Sequence, residues 1–142
     1  MEETMEIKRD LYLNKLIRKK HNGLIKVVTG VRRCGKSYLL FNLFHNHLLD
    51  NGVDEIHIIE VALDDRSNKE LRDPDNILRY VKERIVDREQ YYIILDEVQL
   101  LEEFEDVLNS FLHIRNADIY VTGSNSKFLS SDVITEFRGR GD

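Results

Sequence analysis

The sequence predicts an α/β fold in which a parallel sheet carries helices on both faces. Three observations predict it. After a leading helix, strand-like and helix-like segments alternate four times, in the order β-α-β-α-β-α-β-α. The run 91–95 (YYIIL) is continuously apolar, as suits a central strand, whereas 55–63 alternates, as suits an edge strand with one wet face. Finally, the stretch GVRRCGKS at 30–37 separates a strand from a helix, and its two glycines fill no core space.

Each element follows from local pattern. Ile7, Leu11, Leu13, Leu16 and Ile17 recur at helical spacing on a basic segment, predicting a leading helix over 1–22 that Asn22-Gly23 stops. Residues 24–28 read as the first strand, apolar but for Lys26. Residues 36–49 form the next helix, with Leu40, Phe44 and Leu48 four apart and Asp50-Asn51-Gly52 as its end. The second strand is 55–63. Asp73-Pro74 supplies a cap and a first-turn proline for a helix that buries Ile77, Leu78, Val81 and Ile85. The third strand is 91–95, and Leu100, Phe104, Leu108 and Phe111 form the stripe of the following helix. Residues 118–121 give a fourth strand, and 126–137 a last helix.

Composition narrows the class. The 142 residues are one domain's worth, at 42% hydrophobic and 33% charged, an ordinary globular balance. One cysteine, Cys34, excludes an internal disulfide framework and fits a reducing, cytoplasmic setting. The apolar runs are too short to span a bilayer, so no membrane partner is expected. A net charge of −5 provides no global field that would draw in nucleic acid.

Residues 30–37 match G-x-x-x-x-G-K-[S/T]. In an open parallel sheet, ligands sit beyond the carboxyl ends of the strands, where this stretch lies. Its successive main-chain N–H groups can curl around phosphate oxygens, and the helix that follows aims its positive end at the same anion. Gly30, Val31, Arg32, Arg33, Cys34, Gly35, Lys36, Ser37 and Tyr38 are therefore the candidate nucleotide-binding residues. Lys36 supplies a point charge for the β and γ phosphates, and the Ser37 hydroxyl is placed to ligate Mg²⁺. The implied cofactors are ATP and Mg²⁺.

Asp96 and Glu97 close the third strand. A carboxylate at a buried strand's end is costly unless it meets a cation, and the Mg²⁺ on a triphosphate is that cation. Glu97 is then the natural base for an attacking water. A helix-capping acidic pair is the bland alternative. At the end of the fourth strand, Thr122, Ser124 and Asn125 offer groups of which one reaches the γ-phosphate or the water, or else Ser124 and Ser126 are turn and cap residues.

These segments together resemble the AAA+ ATPases, in the division with an extra strand and a catalytic glutamate. More closely, the chain resembles a prokaryotic family of AAA-domain ATPases (AAA_14-like). The stretches VVTGVRRCGKSYLL, YYIILDEVQLLEEFEDVL, YVTGSNSKFLSS and FRGRGD carry the likeness in order along nearly the whole chain. The resemblance implies a three-layer P-loop NTPase fold with strand order 1-4-3-2. It also implies that the fifth strand and a nuclease-like carboxyl-terminal domain lie past residue 142, so that the chain is expected to be an amino-terminal fragment. It gives Lys36 to phosphate, Ser37 and Asp96 to magnesium, Glu97 to water, and Thr122 or Ser124 to the sensor position. Arg138 and Arg140 match the family's terminal Gly-Arg element, which implies an arginine finger reaching a neighbouring subunit in a homo-oligomer. A solvated basic helix end explains the same two arginines without it.

The expectation is an ATPase module that binds and hydrolyses Mg·ATP. Its rivals are a nucleotide-dependent switch or assembly module engaging DNA or protein, and a phosphotransferase using the same loop. The helical spacing of His45 and His47 puts them on different faces and gives no metal site. The basic run Lys8, Arg9, Lys15, Arg18, Lys19 and Lys20 reads as a solvated face or a nucleic-acid contact.

Overall fold

The computed structural model describes residues 11–29 and 36–123, with the backbone alone at Lys36 and at 134–137. Residues 11–18 form the helix α1. Strand β1 is Ile25–Thr29, β2 is Ile58–Ala62, β3 is Tyr91–Asp96, β4 is Ala117–Gly123 and β5 is Ile134–Phe137. The helix between β1 and β2, α2, runs as an α-helical turn Lys36–Tyr38, a π-helical stretch Leu39–Phe44 and an α-helical end His45–Asp50. Helix α3 is Pro74–Arg84 and α4 is Phe104–Leu112.

The strands lie in the order β2-β3-β4-β1-β5. The pairs β2–β3, β3–β4 and β4–β1 are parallel, which is the predicted 1-4-3-2 order. Period-2 alternation in each strand divides the core in two. Val27, Ile93 and Val121 face one side and pack against Ile77 and Val81 of α3 and Phe104 and Phe111 of α4. Val28, Ile94 and Tyr120 face the other, against Leu16 of α1 and Leu40, Phe44 and Leu48 of α2. Helices therefore cover both faces, and β3 is buried at every position while β2 alternates between buried and half-buried.

The helix ends obey their local chemistry. The Asp73 carboxylate accepts the Asn76 N–H at 3.1 Å and caps α3, with Pro74 in its first turn. At the end of α2, Val53 N–H donates to Leu48 O at 3.0 Å and Gly52 N–H to Leu49 O at 3.1 Å. That is the Schellman pattern, and Gly52 takes the φ of +89° that it demands.

Two expectations are corrected. The last helix, predicted over 126–137, is a strand at its described end: β5 pairs antiparallel with β1, Ile25 opposite Phe137 and Val28 opposite Ile134. The sheet therefore carries an antiparallel strand beside β1 in addition to the predicted four. The sequence ITEF is too short for periodicity to separate helix from strand, and β1 presents an edge of main-chain donors and acceptors that a strand satisfies. Leu100 also leaves the predicted helical stripe. Glu97 and Glu103 both adopt left-handed backbone, at φ 56° and 51°, so Val98–Leu100 is a separate 3₁₀ turn. Leu100 is 37% exposed, and Leu101 takes the buried place.

Candidate functional site

Parallel pairing brings the carboxyl ends of β1, β3 and β4 to one edge, and α2 starts above it. The side chains confirm that juxtaposition. Ser37 Oγ, in the first turn of α2, donates to Asp96 at 2.8 Å from Oδ1 and 2.9 Å from Oδ2. Thr122 Oγ1 on β4 donates to Asp96 Oδ1 at 2.5 Å and accepts the Glu97 N–H at 2.8 Å. Thr122 is wholly buried, and Asp96 and Glu97 are each 4% exposed. The Asp96 carbonyl meanwhile accepts from Leu63 N–H at 3.1 Å, which ties the site to the end of β2.

Three elements far apart in sequence thus converge on one carboxylate. Burial without partners would be prohibitive for Asp96, and two hydroxyls answer it. Glu97 leaves the strand with φ 56° and ψ 55°, a conformation costing a side-chain-bearing residue about 1–3 kcal/mol. Its carboxylate lies 3.4 Å from Gln99 Nε2.

Of the predicted site residues, Ser37, Asp96, Glu97 and Thr122 are brought together. Tyr38 follows Ser37 on α2 and is 44% exposed. Gly30, Val31, Arg32, Arg33, Cys34, Gly35, Ser124, Arg138 and Arg140 lie outside the described residues, as does the Lys36 side chain. Among the described residues no group of three or more His, Cys, Asp or Glu side chains could hold a metal. The Ser37–Asp96 pair is a different kind of donor set. It offers hard oxygens in the small number that Mg²⁺ takes when phosphates and water complete its shell, so these residues fit the ion.

The opposite edge of the sheet holds a polar cluster that sequence reasoning missed. Lys26, fully buried, donates to Asp118 Oδ1 at 2.5 Å and to Leu24 O at 2.7 Å. Its ammonium also sits 4.8 Å from the centre of the Tyr120 ring. Tyr120 OH and the His21 N–H donate to Asp118 Oδ2 at 2.6 and 2.9 Å, and His21 Nε2 meets Tyr92 OH at 2.7 Å. Burial, and then the Asp118 charge, push the phenols of both tyrosines up. The signal was present: a lysine inside a buried strand needs a carboxylate, and Asp118 opens another buried strand.

A second cluster joins α2 to the edge strand. His45 Nδ1 lies 2.7 Å from Glu60 Oε2, and its Nε2 meets Glu55. Burial alone would lower the His45 pKa, but the hydrogen bonds and charges of Glu60 and Glu55 outweigh it and raise it.

Comparison with known proteins agrees with this architecture. A family model described as an AAA domain matches residues 22–142. An uncharacterized protein of Haemophilus influenzae is 32% identical over 135 residues, which cover 94% of this chain and 34% of that protein. An uncharacterized protein of Methanocaldococcus jannaschii is 33% identical over 138 residues, covering 94% of this chain and 27% of that one. The chain therefore spans about a third or less of the length of these relatives. Among solved structures, Drosophila ORC bound to DNA superposes with a TM-score of 0.57 at 14% identity, over 87% of this chain and 79% of that one. Drosophila ORC bound to AT-rich DNA and Cdc6 gives 0.56 at 15%, over 92% and 51%. At such identities the likeness is one of fold.

Proposed function

The chain belongs to the AAA domain family, and from that premise we propose that it binds Mg·ATP at the carboxyl edge of the sheet and hydrolyses it with water. Family and fold make it a nucleotide-binding, ATPase-like module. The observation that carries the finer reading is the meeting of Ser37, Asp96 and Thr122 within 2.5–2.9 Å at that edge, with Glu97 next in the chain.

Residues 30–35 and Lys36 precede and open α2, so their amides and ammonium belong to the triphosphate. Ser37 and Asp96 would hold Mg²⁺, which when bound neutralises the charge on the phosphate oxygens. The Glu97 carboxylate takes a proton from the attacking water. The water oxygen bonds to the γ-phosphorus as the bond to the ADP oxygen breaks, and ADP departs with the electron pair. Two acidic residues thus divide the work: one serves the cation, the other the nucleophile.

Calorimetry and phosphate release on the protein test this. Glu97→Gln is expected to keep ATP affinity within about twofold while turnover falls by roughly 10²–10³, the loss typical of one catalytic group. Lys36→Ala is expected to abolish measurable ATP binding. Binding that persists in Lys36→Ala, or turnover undiminished in Glu97→Gln, overturns the reading.

A second reading uses the same pocket as a switch that engages DNA. It is favoured by the two DNA-bound ORC complexes that share the fold. Its mark is ATP-dependent DNA binding or oligomerisation that survives Glu97→Gln, with Arg138 and Arg140 as candidates for contact with a neighbouring subunit or strand.

A further inference from the structure

We propose that Thr122 is a positioning residue, one that fixes the Asp96-Glu97 step rather than contacting the γ-phosphate. The proposal rests on the Mg·ATP reading of this edge and departs from the sensor role that the sequence suggested.

The main-chain pairing of β3 with β4 runs as far as Leu95 opposite Val121. Beyond that point the strands part, because Glu97 turns into the left-handed region at φ 56°. A side-chain-bearing residue stays there only when its surroundings hold it. The Thr122 hydroxyl does this. It accepts the Glu97 N–H at 2.8 Å, so a side chain takes over where the ladder stops.

The same oxygen has a second duty. A threonine hydroxyl has one proton and two lone pairs. Its proton goes to Asp96 Oδ1 at 2.5 Å, and that oxygen also accepts from Ser37 at 2.8 Å. The donor is therefore spent on the carboxylate, and the side chain has no exposed surface. A hydroxyl in this position cannot also donate to a phosphate oxygen without giving up Asp96. What it does instead is couple two settings: the orientation of the Asp96 carboxylate, and the direction in which Glu97 leaves the strand. Branching at Cβ helps, since the stiff χ1 of threonine holds Oγ1 between the two partners.

The test compares Thr122→Val, which keeps the shape and removes the hydroxyl, with Thr122→Ser, which keeps the hydroxyl. Three quantities are read on the full chain: ATP affinity without Mg²⁺, the Mg²⁺ dependence of turnover, and amide exchange at Glu97 by NMR. Thr122→Val is expected to leave Mg²⁺-free ATP affinity within about twofold and to raise the Mg²⁺ needed for half-maximal turnover at least tenfold, as loss of a supporting contact does. Glu97 exchange should quicken at least tenfold in the same variant, and Thr122→Ser should restore all of these. If Thr122→Val does not fold, Thr122→Ala against Thr122→Ser isolates the hydroxyl in the same three measurements.

Slowed turnover with unchanged Mg²⁺ dependence and unchanged Glu97 exchange would make Thr122 a phosphate contact and overturn the proposal. Serine as damaging as valine would make it a packing residue and overturn it equally. Failure of the unaltered protein to bind ATP would sink the Mg·ATP reading, while Glu97 exchange in the variants would still decide whether Thr122 sets that turn.

Discussion

Lys26 and Asp118, ninety-two positions apart, form a buried ion pair 2.5 Å long at the end of the sheet opposite Asp96. The ammonium is enclosed by Asp118, the Leu24 carbonyl, the Asn22 side chain and the Tyr120 ring. Asp118 in turn holds the main chain of His21, just past α1. One carboxylate thus fastens the leading helix and two strands, remote from Asp96.

Removing Asp118 therefore strands a buried cation. Asp118→Ala is expected to cost roughly 3–5 kcal/mol, because breaking a buried pair leaves its partner uncompensated. Replacing both members, Lys26→Met with Asp118→Leu, should cost less than the sum of the single changes. Urea denaturation of the unaltered protein, Asp118→Ala, Lys26→Met, Asp118→Leu and the double variant measures this, and additive losses in the last three would show that the pair is not coupled.

At the carboxyl edge of the sheet, Ser37→Ala removes a hydroxyl that meets both oxygens of Asp96. ATP affinity without Mg²⁺ is expected to hold within about twofold, while the Mg²⁺ requirement for turnover rises at least tenfold. Calorimetry with and without the ion reads the difference. An unchanged Mg²⁺ titration would remove Ser37 from the metal's shell.

The cluster around His45 makes stability depend on pH. Its folded pKa is raised above the ordinary 6.5, so its contribution is full below that pH and fades as pH rises through the folded value. Glu60, raised chiefly by burial against the pull of His45, acts in the same direction from a lower starting point. His45 is expected to stabilise the protein less at pH 8.5 than at pH 6, while His47, whose pKa burial lowers, works the other way. His45→Gln should therefore lower the melting temperature more at pH 6 than at pH 8.5. Thermal melts at the two pH values check it; an equal loss at both would take His45 out of the effect.

The cap of α3 gives a smaller, local effect. Asp73→Ala frees the Asn76 N–H and is expected to cost about 1 kcal/mol, with Asp73→Ser largely restoring it. Denaturant midpoints are sensitive enough to see this. No loss in the alanine variant would mean that water caps the helix equally well.

What the sequence determined by itself was whatever short-range pattern encodes. The unbroken apolar run placed β3 inside the sheet, alternation placed β2 at an edge, and Asp73-Pro74 and Asp50-Asn51-Gly52 set helix ends through main-chain hydrogen bonds only a few residues long. The motif at 30–37 and the pair Asp96-Glu97 stand out in the sequence because phosphate and metal chemistry, the reading proposed above, would demand fixed residue types at fixed spacing. Tertiary structure alone decided the rest. Thr122 looked like a group free for phosphate until β4, paired beside β3, put its hydroxyl between Asp96 and Glu97. Lys26 looked like an exception in a strand until Asp118 arrived from the far end of the chain. The end predicted as helix became β5 because β1 offered an unpaired edge. In each case a polar group found its partner across the sheet, and strand order, which no local window contains, chose which partner that was.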